Sequence, residues 1–262
     1  MPFARVGGVK VHYEVTGDGP PLVLHPGMFC VGEHWARRGY TAVLRGEHTV
    51  IAIDPLGLGA SDGPHDPAAY ALPRRVAHVT AVLDDLGVER AACWGYSLGA
   101  LTVLGMAVHA PERCTRVVAG AWDPVDGFRS GLEHALRTYG LPADTDPFTL
   151  LRDGAHTDPE QAAVIDAADP EALRANFAAF SGDRGLDARL VGTRVPLLMY
   201  CGTEDPWHDP MRAVAGRVGA GFFGVPGADH GGAWVRCDDV LPDVRRFLAG
   251  DRADDTAGDT AG

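Results

Sequence analysis

The sequence predicts an α/β fold: a mostly parallel, doubly wound sheet with helices on both faces and a helical lid inserted late in the chain. Three observations carry this. Short runs that are apolar throughout alternate with runs whose apolar residues recur at helical spacing, as in a sheet covered on both sides. A Gly-x-Ser-x-Gly pattern, Gly95-Tyr96-Ser97-Leu98-Gly99, stands between one such strand-like run and one such helical run. Residues 124–190 carry no strand-like run at all.

The elements follow in order. Residues 9–16 alternate apolar and polar, as a half-exposed antiparallel edge strand does. Residues 22–25 form a short buried strand that runs into Pro26-Gly27-Met28, and residues 34–45 read as a helix. Residues 49–54 are another apolar strand, closed by the turn-rich segment from Asp54 to Asp62, DPLGLGASD. Residues 72–86 place Val76, Val79, Val82, Leu83 and Leu86 at helical spacing and stop at Gly87. The strand entering the Gly-x-Ser-x-Gly pattern and the helix leaving it come next, then a strand at 115–121. Candidate helices at 128–139, 159–167 and 171–180 follow, too much chain for one crossover, so 124–190 is read as a lid over the sheet's C-terminal edge. Strands at 195–201 and 220–225 resume the pattern, with helices at 211–218 and 240–248. The core is therefore 1–123 with 191–250, the lid is 124–190, and the acidic, small-residue tail 251–262 is expected to be disordered.

Composition narrows the function. The 262 residues are 46% hydrophobic and 22% charged, enough for one large core. A net charge of −12 argues against nucleic acid or an anionic membrane as partner. There is neither an apolar run long enough to span a bilayer nor a basic-then-apolar leader, so a cytoplasmic location is expected. The five cysteines, Cys30, Cys93, Cys114, Cys201 and Cys237, are scattered and odd in number, which speaks against zinc and against a disulfide framework. No cofactor is expected.

A strand–Gly-x-Ser-x-Gly–helix context marks a nucleophile elbow. The turn is tight, glycines at both ends avoid crowding, and Ser97 is pushed out at a helix N-terminus where the Leu98 N–H is left free. Ligands of open parallel sheets bind at the C-terminal strand ends. Ser97, Asp205 and His230 fall at such ends, in that chain order, as does the His25-Pro26-Gly27-Met28 turn. A serine nucleophile needs a base within hydrogen-bond reach, and an imidazole can take and return a proton near neutral pH. Asp123, with Glu204 and Asp209 behind it, rivals Asp205 as the acid, and Asp205 has the plainer use of capping the helix that follows.

Over residues 9–248 the chain resembles the α/β-hydrolase fold family, on His25-Pro26-Gly27, the DPLGLGASD segment, the elbow, GTEDP at 202–206 and GADHGG at 227–232. The resemblance implies Ser97 as nucleophile, His230 as base and Asp205 as its orienting acid. It implies an oxyanion hole from the Leu98 N–H and a second N–H from Gly27 or Met28. His-Pro-Gly replaces the commoner His-Gly, which leaves both of those open. His25 is read as structural. Phe29, Tyr96, Trp122, Phe128 and Trp207 are the candidate substrate-binding residues, with Phe148, Phe177, Phe180 and Trp234 also near the expected cleft or on the lid. The expected activity is hydrolysis of a small, mostly apolar ester or related acyl compound through an acyl-enzyme. The alternatives are carbon–carbon bond hydrolysis or a lyase or cyclase step on the same site, and a non-catalytic ligand-binding module. Epoxide hydrolase and haloalkane dehalogenase chemistry need an aspartate where Ser97 stands.

Overall fold

Apolar runs with no polar alternation can be satisfied only by burial on both faces, and the sheet is built that way. In the computed structural model, which describes residues 2–250, eight strands form one sheet: β1 (Phe3–Val6), β2 (Val9–Thr16), β3 (Pro21–His25), β4 (Thr49–Ile53), β5 (Ala91–Tyr96), β6 (Cys114–Gly120), β7 (Leu197–Gly202) and β8 (Gly221–Val225). Their order is β1-β2-β4-β3-β5-β6-β7-β8. β2 pairs antiparallel with β1 and β4, and all later pairings are parallel. Every residue of β5 and of β7 is buried. The expectation that 9–16 forms the sheet edge is corrected by β1, whose four residues are too few to show an alternation and which occupies that edge instead.

The helices that cover the sheet are α1 (Glu33–Arg37), α2 (Tyr40–Leu44), α3 (Leu72–Asp85), α4 (Leu98–His109), α10 (His208–Val218), α11 (His230–Val235) and α12 (Cys237–Ala249). The single helix expected over 34–45 is two short ones, because Gly39 adopts a left-handed conformation (φ 91°) that no continuing α-helix contains. Between β6 and β7 the chain is wholly helical: α5 (Phe128–Thr138), α6 (Pro147–Ala155), α7 (Pro159–Ala167), α8 (Pro170–Phe180) and α9 (Leu186–Leu190). Three of these open on an Asp-Pro pair. Asp146, Asp158 and Asp169 each accept a backbone N–H of the first turn, with proline at the position where a missing N–H costs nothing. This helical segment is tied to the core at its rim. Arg38 bonds Asp158 (3.0 Å) and Glu160 (2.9 Å), and His65 bonds Asp169 (2.8 Å) and Glu171 (3.0 Å). Beneath, the buried Arg75 donates to Asn176 Oδ1 (2.5 Å). The tail 251–262, expected to be disordered, lies outside the described residues. Among the described residues no helix is long and apolar enough to cross a membrane, and no group of three or more His, Cys, Asp and Glu side chains is gathered as for a metal.

The chain lays β4 on one side of β3 and β5 on the other, so the strand order reverses between β3 and β5, where ligands of open α/β sheets sit. His25 is in register with Gly95, which brings Pro26-Gly27 alongside Ser97. Two buried imidazoles lie nearby, and both are held neutral chiefly by burial: His25 is pushed down to about 3 and His78 to about 4, with the Arg75 charge adding to each. Unfolded, both bind a proton near pH 6.5. Between these limits the unfolded chain holds more protons than the folded one, so stability falls as pH falls, by up to about 1.4 kcal/mol per pH unit for each histidine. Urea unfolding is expected to give a stability roughly 4 kcal/mol lower at pH 5 than at pH 7, and His78→Gln is expected to flatten that slope.

Candidate active site

Three backbone positions at adjacent strand ends hold non-glycine residues at positive φ: Phe29 (60°) after β3, Ser97 (54°) after β5 and Ala121 (50°) after β6. Such conformations cost about 1–3 kcal/mol each and gather at functional sites. The elbow explains why Ser97 accepts the strain. A β-carbon at Gly95 would strike the carbonyl of Gly99, and one at Gly99 would strike the carbonyl of His25, so the strand, helix α4 and the β3 loop cross too closely for side chains. Ser97 is forced outward at the start of α4, an ideal place for a nucleophile and a helix whose first N–H groups point at the same spot.

The structure brings Ser97, His230 and Asp205 into one hydrogen-bonded line. The Ser97 Oγ lies 3.1 Å from His230 Nε2, and His230 Nδ1 donates to Asp205 Oδ2 at 2.8 Å. The Asp205 side chain is 1% exposed and that of His230 41%, so the carboxylate is dry and the imidazole is open to solvent. Burial pushes the Asp205 carboxyl up, but the His230 charge and hydrogen bond, with the Trp207 N–H, outweigh it and hold it below the usual carboxylate range. The Trp207 N–H meets the second oxygen, Oδ1, at 3.0 Å. His230 opens the short helix α11, capped by Asp229 Oδ1 on the Gly232 N–H (2.6 Å), which fixes its backbone. Tyr96 reaches under it to donate to the His230 carbonyl at 2.6 Å.

The rival acids are committed elsewhere. Asp123 is buried, but accepts the Val125 N–H (2.8 Å) and the Ser130 hydroxyl (2.8 Å). Asp209 pairs with His208 and Arg212 at the surface. His25 turns its Nδ1–H to the Pro26 carbonyl at 3.1 Å, bracing the loop. Asp54 braces the DPLGLGASD segment: its carboxylate accepts the N–H groups of Gly32 (2.9 Å) and Ala60 (3.0 Å) and the His12 Nδ1–H (2.8 Å).

Among the described residues, no protein group accepts the N–H of Gly27, Met28 or Leu98. Gly27 lies close over Ser97: a β-carbon there would sit 3.2 Å from Ser97 Cβ and 3.7 Å from its Oγ. Unused N–H donors therefore stand on Gly27, which approaches Ser97, on Met28, which follows it, and on Leu98, next to Ser97 in the chain. The candidate substrate-binding residues fall in two groups, joined where Trp122 meets Trp207 with ring centroids 5.5 Å apart. Trp122, Phe128, Phe177 and Phe180 pack edge to face over the ends of β6 and α8, with ring centroids 5.3–6.2 Å apart. Phe29 meets Phe148 at 6.5 Å. Tyr96 and Trp207 instead flank the His230 ring, at 5.5 and 5.0 Å. Trp234 is a core residue, packed on Trp35 at 4.6 Å. A cleft of about 630 Å³ lies among the α6, α7 and α8 helices, lined by Phe148, Arg152, Ile165, Leu173 and Arg174, and contains neither Ser97 nor His230. Ser130 had no sequence signal: its link to Trp207 spans 77 residues.

Comparison with known proteins agrees with this architecture. A family model described as alpha/beta hydrolase fold matches residues 20–140. A protein of Azorhizobium caulinodans provisionally named carbamate hydrolase RutD is 32% identical over 129 residues, 49% of this chain and 47% of that one. The 2-hydroxy-6-oxo-2,4-heptadienoate hydrolase of Pseudomonas putida is 33% identical over 113 residues, 43% of this chain and 41% of that one. The chain thus spans less than half the length of these curated relatives in the matched regions. The crystal structure of the enol-lactonase from Burkholderia xenovorans superposes with a TM-score of 0.75 at 25% identity, covering 95% of this chain and 100% of that one.

Proposed function

We propose, from the premise that this chain belongs to the α/β-hydrolase fold family, that it is a serine hydrolase cleaving a small, mostly apolar ester or related acyl compound through an acyl-enzyme. The observation that carries the reading is the continuous relay from Ser97 through His230 to the buried Asp205.

In the forward step His230 Nε2 takes the Ser97 proton as Oγ attacks the acyl carbon. Negative charge develops on the former carbonyl oxygen, where the Leu98 N–H and that of Gly27 or Met28 meet it, each donor worth about 3–4 kcal/mol of barrier. The buried Asp205 carboxylate steadies the imidazolium and fixes its tautomer. His230 then returns the proton to the departing alcohol. A water molecule, deprotonated by the same imidazole, releases the acid and restores Ser97. The helices of 124–190 serve as a lid, and the aromatic group of Trp122, Phe128, Phe177 and Phe180 supplies an apolar wall for the acyl part.

A second reading, hydrolysis of a carbon–carbon bond beside a ketone, is favoured by the likeness to the Pseudomonas putida hydrolase and uses the same relay. A panel of p-nitrophenyl acetate and butyrate against ring-cleavage diketones separates the two. The serine mechanism itself predicts that p-nitrophenyl esters are turned over and that a fluorophosphonate leaves a stable adduct on the peptide carrying Ser97. An enzyme that neither turns over these esters nor forms the adduct would overturn it.

A further inference from the structure

The acid and the base of the relay are held by core elements, yet one wall of the base is held by the helical insertion. His230 touches two aromatic rings. Tyr96, on β5, lies at 47° to it with centroids 5.5 Å apart, and Trp207 meets it edge-on at 86° and 5.0 Å. Tyr96 cannot move independently of the sheet, since its strand is buried throughout and its hydroxyl is bonded to the His230 carbonyl. Trp207 is different. Its backbone N–H is fixed on Asp205, but its indole Nε1–H donates to Ser130 Oγ at 3.0 Å, and Ser130 is on α5. Ser130 in turn donates to Asp123 Oδ2 at 2.8 Å, the carboxylate that stands where a rival acid was sought.

Two further details make this a built contact. Asp123 is buried and its other oxygen is occupied by the Val125 N–H, so the acceptor for Ser130 has one orientation. The residue after Ser130 is Gly131, and a β-carbon there would sit 3.0 Å from Trp207 Cζ2 and 3.2 Å from Nε1. Helix α5 therefore lies with bare backbone against the indole. The side chain of Trp207 is gripped by a hydrogen bond at one end and by close packing along its edge.

We infer that Trp207 and Ser130 are positioning residues through which the seating of helix α5 sets the alignment of His230 between Asp205 and Ser97. The inference rests on the reading of those three residues as the catalytic set. With α5 seated, the indole edge lies against one side of the imidazole and keeps Nε2 toward the serine hydroxyl. With α5 displaced, the ring loses one wall, and the half-exposed imidazole can rotate about its side-chain bonds away from Ser97. A small misplacement of a base is costly out of proportion to its size, because proton transfer needs near-linear contact. Substrate that packs beneath α5 would thereby assemble the base it needs.

The test is a double-mutant cycle in the full chain, with Ser130→Ala, Trp207→Phe, their combination, and Ser130→Thr. Phenylalanine keeps a ring beside His230 but has no N–H. The two single variants are each expected to lower kcat on p-nitrophenyl butyrate about tenfold with KM within about twofold, and to slow fluorophosphonate labelling of Ser97 in proportion. The combination is expected to be no worse than either alone, since both break one bond, and Ser130→Thr is expected to restore the rate by restoring the hydroxyl. Equal labelling and kcat in wild type and Ser130→Ala, or losses that simply add, would overturn the inference while leaving the hydrolase reading intact. A wild-type protein that is neither labelled nor active would overturn that reading, and this inference with it.

Discussion

Ser97→Ala is expected to lower kcat on p-nitrophenyl butyrate by roughly five to six orders of magnitude, leaving only the small rate that oriented binding and the oxyanion donors supply. The size follows from chemistry: an alanine methyl cannot attack a carbonyl, and no neighbouring nucleophile stands within the same hydrogen-bonded line. The fold should survive. Alanine retains the β-carbon, and that is the atom the left-handed backbone at φ 54° already tolerates in serine. Urea unfolding should therefore give a stability within about 1 kcal/mol of the parent, so that lost activity is not lost structure. His230→Ala should cost about as much, and the pair together little more than either alone, because the two act as one unit. Ser97→Ala activity within tenfold of the parent would remove serine catalysis.

The parts of this site that were legible in the sequence are those where crossing chains leave no room for alternatives. Gly95 and Gly99 are written into the motif because any side chain there would enter the backbone of Gly99 or His25. The strands were legible because β5 and β7 are buried throughout and so are apolar throughout. The helical insertion was legible as an absence of strands, but not in full. Helix α6 was missed although Asp146-Pro147 is the same cap-and-start pair that opens α7 and α8. Its signal was present in that pair. Helix α11 was hidden by Gly231 and Gly232, poor helix formers held in a helix by the Asp229 cap and by packing of Trp234 into the core. Gly39 gave the break between α1 and α2 its signal, overruled by the apolar spacing on either side. Trp207 was named as a substrate contact on its position alone, and nothing local indicates that its indole would be gripped by Ser130 and laid against His230. Local rules read elements and turns. They do not read a hydrogen bond that closes over most of a helical insertion.

The acid is the residue on which sequence reasoning was most divided, and the geometry makes the consequence of changing it unusually specific. Asp205→Asn is expected to lower kcat by about 10⁴ with KM little changed, while Asp123→Asn is expected to cost less than tenfold. Asparagine at 205 can take two orientations, but the Trp207 N–H, 3.0 Å from Oδ1, requires an acceptor there. The amide oxygen must take that place, which turns the amide NH₂ toward His230 Nδ1 at the position of Oδ2. Nδ1 then has to accept rather than donate. The imidazole is forced into the tautomer with its proton on Nε2, and Nε2 can no longer take the proton of Ser97. The charge that steadied the imidazolium is lost in the same exchange. Asparagine at 123 meets no such conflict: its oxygen keeps the Val125 N–H, and its NH₂ can donate to Ser130 Oγ, whose own proton is then free for the Gly127 carbonyl 3.3 Å away. Steady-state kinetics of the two variants on one ester, with unfolding curves for each, decide between the carboxylates: a severe loss at 123 and a mild one at 205 would move the acid to the end of β6 and require His230 to swing away from the partner it now holds.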